Sequence, residues 1–389
     1  MPEQDPPEFD WLYGQGPRET QPPAEAEPTR VLPRAGGGRP GPQQREPGTP
    51  HPKAPQRATP PPAPPAPVKK RRTGRTIRRI VLVLLVAWIA FLIAVPVTAW
   101  KKVDKVDATP AGARPDEQPG TTYLLVGSDS RKGLSRAEKR RMGTGGVGDV
   151  GQRTDTIMLL HTGDGPPLLL SIPRDSIVPI PGHGTTKINA AFAYGGPKLL
   201  VRTLEQNTGV RIDHYVEIGF GGFVNSVDAV GGIEICPTKR MVDPRANLRI
   251  KKGCQQVDGI TALGYARSRH TSPIGDIDRA KHQREVVAAI GAEVKSPWTV
   301  LNPWRYSAVV NAGTSSLKIS EGTSPIDLAR FAWAMTKVNG SDGLTCSMPI
   351  RDLAVHWDRE RALALLGYLK TDSTGDIPKR LCRPTGLPT

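Results

Sequence analysis

The sequence predicts an α/β layer sandwich held outside a membrane by one N-terminal transmembrane helix. Short apolar runs alternate with segments of helical periodicity from about residue 120 onward, the pattern of helices packed on a sheet. A charge-free stretch runs from Ile80 to Ala99, and about half of the 40 prolines lie at or before Pro67. Fold, anchor and tail are thus separable by composition.

The tail is read as residues 1–79. To about residue 68 it mixes Gly, Gln, Glu and Arg with runs such as Pro60-Pro61-Pro62, too little apolar surface to bury a core, so disorder is expected. Lys69, Lys70, Arg71, Arg72, Arg75, Arg78 and Arg79 close it as a basic juxtamembrane cluster. The span is placed at 80–100: the twenty charge-free residues from Ile80 to Ala99, rising about 1.5 Å each, cover about 30 Å, the thickness of a hydrocarbon core. Trp100 sits where an interfacial anchor would. The long preceding tail and the lack of a small-residue cleavage site argue against a secretory signal. No polar face marks a buried core helix.

Only Lys101, Lys102 and Lys105 follow the span, diluted by Asp104 and Asp107, so the positive-inside rule places the N-terminus in the cytoplasm and the remainder outside the cell. Part of the net charge of +16 resides in the tail and its cluster. There it marks topology or anionic lipid rather than nucleic acid, which is not an expected partner.

A polar linker at 101–120 leads into one domain over 121–389. Strands are expected at Thr122–Val126, Thr156–His161, Leu168–Ile172, His214–Ile218, Gly232–Cys236 and 344–349, short apolar runs bounded by turn residues. Helices are expected at Lys187–Tyr194, Pro197–Gln206, Phe220–Val230, Asp258–Tyr265, Asp276–Val294, 303–312, 325–338 and 358–370. Residues 131–152 are charged and then glycine-rich, a pattern of a mobile loop. The run lacks the Lys-Ser/Thr ending and GxGxxG spacing of nucleotide loops. Four cysteines in an oxidising compartment invite two bridges, and proximity favours Cys236 with Cys254 and Cys346 with Cys382, four reduced thiols being the alternative. No CxxC pair points to zinc.

The chemistry concentrates in Tyr265-Ala266-Arg267-Ser268-Arg269 and in Asp276, Arg279 and Gln283. The last three lie at i, i+3 and i+7, on one helix face. Arg267 and Arg269 converge only if their helix ends near Arg267, which Pro273 permits. Guanidinium forks match phosphate oxygens bidentately. Asp129 ends one strand and Arg153-Thr154-Asp155-Thr156 opens another, while Ser171-Ile172-Pro173-Arg174-Asp175 adds an arginine at a strand end. Carboxylates beside phosphate-binding arginines suit Mg2+, with Mn2+ an acceptable substitute.

Gly127-Ser128-Asp129, the Arg153 and Ser171 segments, Lys187-Ile188-Asn189-Ala190-Ala191-Phe192, Val227-Asp228-Ala229-Val230-Gly231-Gly232 and the Tyr265 segment with Asp276, Arg279 and Gln283 occur in that order. Together they resemble the LytR-CpsA-Psr family over about 120–295. The resemblance implies a central mixed sheet flanked by helices, with a hydrophobic lipid tunnel for which Phe192, Tyr194, Leu199, Leu200, Phe220, Phe223 and Val224 are candidates. It implies a phosphotransferase that moves a glycopolymer from a polyprenyl-pyrophosphate carrier to peptidoglycan through a phosphodiester. Asp129 and Asp155 would hold Mg2+. Arg153, Arg174, Lys187, Arg267, Arg269, Arg279 and Gln283 would hold the pyrophosphate, and Asp276 would orient them. Asp155, Asp129, Arg153, Arg267 and Arg269 are the expected catalytic set.

His282 stands before Gln283 where the family usually has arginine, and Arg284 after it is the candidate compensating charge. A polyprenyl-pyrophosphate hydrolase or a non-catalytic binder would need the same arginines. A transcriptional attenuator would need a cytoplasmic DNA-binding unit, and the tail has no helix-turn-helix pattern. High Pro, Gly and Arg usage with paired cysteines fits a high-GC Gram-positive bacterium, with arabinogalactan, teichoic-type and capsular polymers as candidate cargo. Replacing Arg267 and Arg269 together by Ala should abolish transfer while leaving the circular dichroism spectrum and Tm unchanged; full activity in that variant would refute the assignment.

Overall fold

The computed structural model describes residues 73–130, 134–142, 154–268, 275–338 and 342–388. The chain opens with helix α1 (Thr73–Ala99), strands β1 (Asp104–Val106) and β2 (Thr121–Ser128), and helix α2 (Arg136–Arg141). Strands β3 (Thr154–Thr162), β4 (Leu168–Ile172), β5 (Ile177–Ile180) and β6 (Gly184–Lys187) lead to helix α3 (Asn189–Thr208). Strand β7 (His214–Gly219) feeds α4 (Phe220–Ala229), then β8 (Ile233–Ile235), β9 (Met241–Asp243), β10 (Leu248–Ile250) and β11 (Gln255–Val257). Helices α5 (Gly259–Arg267), α6 (Gly275–Val294), α7 (Pro297–Leu301) and α8 (Pro303–Ser316) follow. Strand β12 (Leu317–Ser320), α9 (Pro325–Met335), β13 (Leu344–Ser347) and α10 (Arg359–Lys370) complete the order.

Seven strands form the central sheet in the order β1-β12-β7-β2-β3-β4-β13. It is mixed: β3 runs antiparallel to β2 and β4, whereas β2 with β7 and β4 with β13 are parallel. Both faces are covered, which is why its strands read as unbroken apolar runs. Leu124, Leu159 and Leu170 point to a core shared with Leu200 and Leu204 of α3 and Leu365 and Leu369 of α10. Tyr123, Met158, Leu169 and Val216 point to the other side, against Phe331 and Ala334 of α9 and Val287 of α6. A smaller core joins Val227, Ile233, Leu248, Tyr265 and Val286, binding the β8–β11 hairpins to α4, α5 and α6.

Helix α1 is long and apolar enough to cross a membrane; its side chains from Ile80 to Val86 are exposed. The helix already includes Thr73–Arg79, before the charge-free stretch, and Arg75, Arg78 and Arg79 are good helix formers. Cysteines 236 and 254 form one disulfide, and 346 and 382 the other.

Several expectations are corrected. Asp104–Val106, inside the segment read as a linker, pairs in parallel with β12 at the sheet edge. Lys187 closes the β5–β6 hairpin opposite Ile177 instead of opening a helix. The two helices expected at Lys187–Tyr194 and Pro197–Gln206 are present as the two halves of α3, separated by the non-helical Gly195 and Gly196, where Gly196 takes φ 62° and Pro197 opens the second half without needing an amide donor. Within the expected loop, Ser135 and Glu138 form a capping box that starts α2, a signature of helix entry. The glycine run lies outside the described residues.

His161 is buried, its ring nitrogens 2.9 Å from Thr122 Oγ1 and 3.1 Å from Asp372 Oδ1. Burial, opposed by Asp372, holds its pKa below 6.5, and burial likewise lowers that of His214. As pH falls through about 6.5 the unfolded chain takes up protons that the folded chain refuses, so stability declines. Calorimetry from about pH 7 to about pH 5 should show Tm falling, with a shallower slope in His161→Gln.

Candidate active site

The sheet builds the site at one end. Ile157 of β3 pairs with Ile172 of β4, so two residues beyond, Asp155 meets Arg174. Between β2 and β3 the register runs Gly127 with Thr156 and then Ser128 with Thr154. Asp155 is therefore the extra residue of a bulge, a device that re-aims a side chain near active sites. Its carboxylate accepts from Arg174 Nη1. Arg174 Nε also reaches Asp175 Oδ2 at 3.4 Å, and Asp175 Oδ1 takes Lys187 Nζ at 2.9 Å. Charges thus alternate along Asp155, Arg174, Asp175 and Lys187. Lys187 is exposed at the far end and meets the site through Asp175.

Helices α5 and α6 supply the opposite wall. Asp258 caps α5 by accepting from the Thr261 amide at 2.8 Å, and the helix stops at Arg267 because Ser268 is extended, at φ −62° and ψ 131°. The termination expected from the arginine spacing is therefore present. The Arg267 guanidinium lies 4.8 Å from the Phe220 ring centre, and its Nη1 donates to the Met142 carbonyl at 3.2 Å, so the segment after α2 contributes a partner. Asp276, Arg279 and Gln283 share α6 as expected. Gln283 Nε2 reaches the Asp155 carbonyl at 3.5 Å; Arg279 is 4% exposed. Asp129 follows β2 directly and is half-buried beside the start of β3. Arg153, Arg269 and the Asp276 side chain lie outside the described residues.

Arg284 does not compensate for His282. It turns away from the site and donates to Ser347 Oγ at 3.0 Å and the Pro384 carbonyl at 2.7 Å, and burial lowers its pKa to about 10. His282 packs against Tyr265, ring centres 4.3 Å apart.

Between the walls is a pocket of about 600 Å³ including its open mouth, lined by Leu125, Ile218, Phe220, Phe223, Leu263 and Val287 on its apolar side and by Ser128, Asp155, Thr156, Arg267 and Gln283 at its polar end. Phe220 and Phe223 were among the residues expected to line a tunnel. Val224 is buried beside them in a small cluster with Leu263. Phe192, Leu199 and Leu200 instead belong to the core on the other sheet face, and exposed Tyr194 stacks on His183.

Beneath the polar end is a group invisible to motif reading. Glu217 of β7 is 2% exposed and accepts from Ser128 Oγ at 2.7 Å, Tyr215 Oη at 2.9 Å and Lys318 Nζ at 3.0 Å. Burial and the adjacent carboxylate push the Tyr215 phenol well above its ordinary value. Its four members come from β2, β7 and β12 and meet only through sheet register; the alternation of Tyr215 and Glu217 along β7 was the available signal.

Among the described residues no group of three or more His, Cys, Asp or Glu side chains converges as a metal cluster. Asp155 pairs with Arg174 and lines the pocket, and Asp129 directly follows the adjacent strand β2; carboxylate oxygens are the hard donors that Mg2+ takes when phosphate and water complete its shell.

The profile of the LytR_cpsA_psr family matches residues 93–349. Over 284 residues the chain is 48% identical to the probable cell wall biosynthesis protein LcpB of Corynebacterium glutamicum, covering 70% of this chain and 67% of that one. It is 31% identical over 264 residues to the cell wall biosynthesis protein LcpA of that bacterium, covering 60% of this chain and half of LcpA's length. A LytR-Csp2A-Psr enzyme from Actinomyces oris shares the fold with a TM-score of 0.56 at 21% identity, over 69% of this chain and 96% of that one. TagT bound to LI-WTA aligns with a TM-score of 0.50 at 23% identity, over 69% and 99%.

A methyl group on Gly127 would lie 2.9 Å from Thr156 Cβ and displace the bulge. Gly127→Ala should lose about 1–3 kcal/mol of stability, read as a lowered Tm, whereas Gly313→Ala on α8, where nothing lies within 4 Å, should not lower it.

Proposed function

Because the chain belongs to the LytR-CpsA-Psr family, we propose that it transfers a glycopolymer from a polyprenyl-pyrophosphate carrier to peptidoglycan, forming a phosphodiester with the help of Mg2+. The supporting observation is the division of one pocket into an apolar wall and an end bearing Asp155, Arg267 and Gln283. A ligand filling it must be an amphiphile with an anionic head. The fold likeness to TagT bound to LI-WTA is consistent with a glycopolymer cargo.

In this reading the acceptor sugar hydroxyl attacks the phosphorus nearest the glycopolymer. The new P–O bond forms as the phosphoanhydride breaks, and polyprenyl monophosphate leaves. Arg267, Arg174 and Arg279 neutralise the nonbridging and leaving oxygens, the dominant requirement of phosphoryl transfer. Arg174 is held by Asp155 beforehand. An arriving pyrophosphate exchanges with that carboxylate, leaving Asp155 available to take the acceptor's proton. Gln283, in contact with the Asp155 backbone, keeps the bulge in place. Mg2+ held by Asp129 and Asp155 would add charge neutralisation at the diphosphate.

Incubating the full chain with a radiolabelled lipid-linked donor, peptidoglycan and Mg2+ should place label on peptidoglycan, and EDTA should abolish it. Soluble label would instead indicate hydrolysis, and donor retained unchanged would indicate binding alone; either result rejects the transferase reading.

A further inference from the structure

We propose that the corner between α7 and α8 inserts into the bilayer leaflet nearest the catalytic domain, as a second membrane contact beside α1. The inference rests on α1 spanning the membrane. From residue 297 to 304 every exposed side chain is apolar: Pro297, Trp298, Val300, Leu301, Pro303 and Trp304. Trp304 is 83% exposed, Leu301 64% and Trp298 60%. Single exposed apolar residues are ordinary, but a contiguous charge-free cluster marks a contact surface. Two nearby polar side chains turn inward to protein partners: Asn302 Oδ1 accepts from the Trp304 and Arg305 amides at 3.0 and 3.1 Å, and Arg305 Nη2 meets Glu293 at 2.8 Å.

What selects lipid as the occupant is the place where α8 joins α1. Tyr306 Oη donates to the Leu92 carbonyl at 2.7 Å, with the Tyr306 and Phe91 rings 5.8 Å apart. In an uninterrupted helix the Leu92 carbonyl would accept from the amide of residue 96, but that residue is Pro96, which has no N–H. Tyr306 therefore supplies the donor that proline removes, at a depth where water cannot. Leu92 lies eight residues before Trp100, about 12 Å along the helix at 1.5 Å per residue, well inside a span of about 30 Å. Farther along both helices, Lys102 Nζ donates to Asn311 Oδ1 at 2.8 Å, so α8 rises in the same sense as α1. Its deep end is the N-terminal one, where Trp304 and the end of α7 lie.

The consequence reaches the pocket. Helix α4 carries Phe220 and Phe223 and crosses α8 so closely that a methyl group on Gly222 would lie 2.6 Å from the Ser316 carbonyl oxygen. Phe220 and Phe223 thus sit beside the C-terminal end of α8, while the residue after α4 meets α8 near its deep end, where Arg305 Nη2 donates to the Val230 carbonyl, so α4 links the corner to the pocket wall.

The test uses the full chain in phosphatidylcholine–phosphatidylglycerol vesicles. Nitroxide labels are placed singly at Leu301→Cys, Ile93→Cys and Leu353→Cys; both native cysteine pairs are oxidised and leave no competing thiol. Power saturation should show Leu301 behaving like Ile93, accessible to oxygen and several-fold less accessible to a nickel chelate than Leu353, an exposed position elsewhere on the domain. Nickel access at 301 equal to that at 353, with 93 still lipid-like, overturns insertion while leaving the span intact. Exclusion of both reagents at 301 overturns it in favour of a protein occupant. Nickel access at 93 removes the span and the inference together.

Discussion

A guanidinium beside an apolar pocket needs partners for its charge and its donors, because partly desolvating an isolated charge is costly. The pairing of Arg174 with Asp155 meets that constraint, and much of the molecule is arranged to make it. It requires β3 and β4 to run antiparallel in the register that aligns Ile157 with Ile172, and a bulge opposite Gly127 that turns Asp155 out of the pleat. Arg267 meets the same need differently, with the Phe220 ring face and the Met142 carbonyl. These partners are weaker attractors than phosphate, so each arginine is held without being locked.

The rigidity that makes this possible comes from burial on both sheet faces. Leu159 and Leu160 on consecutive positions of β3 are each fully enclosed, in different cores. A one-residue slip would exchange them and carry Asp155 to the wrong side. Glu217 strengthens the same strand ends from below: its three donors arrive from β2, β7 and β12. Removing one partner would leave a buried charge incompletely satisfied, which is why such networks specify register.

Helix α1 is joined to the rest of the domain through side-chain contacts as well as through sequence. Pro96 frees a carbonyl, Tyr306 fills it, and α8 carries that contact to α4 and the pocket wall. Strand β1, immediately after the anchor, pairs into the sheet edge. A domain tied in two places to α1 keeps a fixed attitude to that helix.

Periodicity and composition alone determined the apolar strands β2, β3, β4 and β7, the long helices and the candidate span, because repeats of 2 and 3.6 and a charge-free run are local properties. The order of motifs identified the family, and the spacing of Arg267 and Arg269 was enough to require a helix end that the structure contains. Three-residue strands such as β1 and β9 were illegible, since so few residues establish no period and their pairing partners are distant in sequence. Tertiary structure alone decided which apolar residues face the pocket: Phe192 and Phe220 look alike in sequence, yet lie on opposite faces of the sheet. It also sent Arg284 to Ser347 and Pro384 and brought Glu217 under Ser128. Adjacent residues on a helix point about 100° apart, and which direction meets a site depends on what packs there.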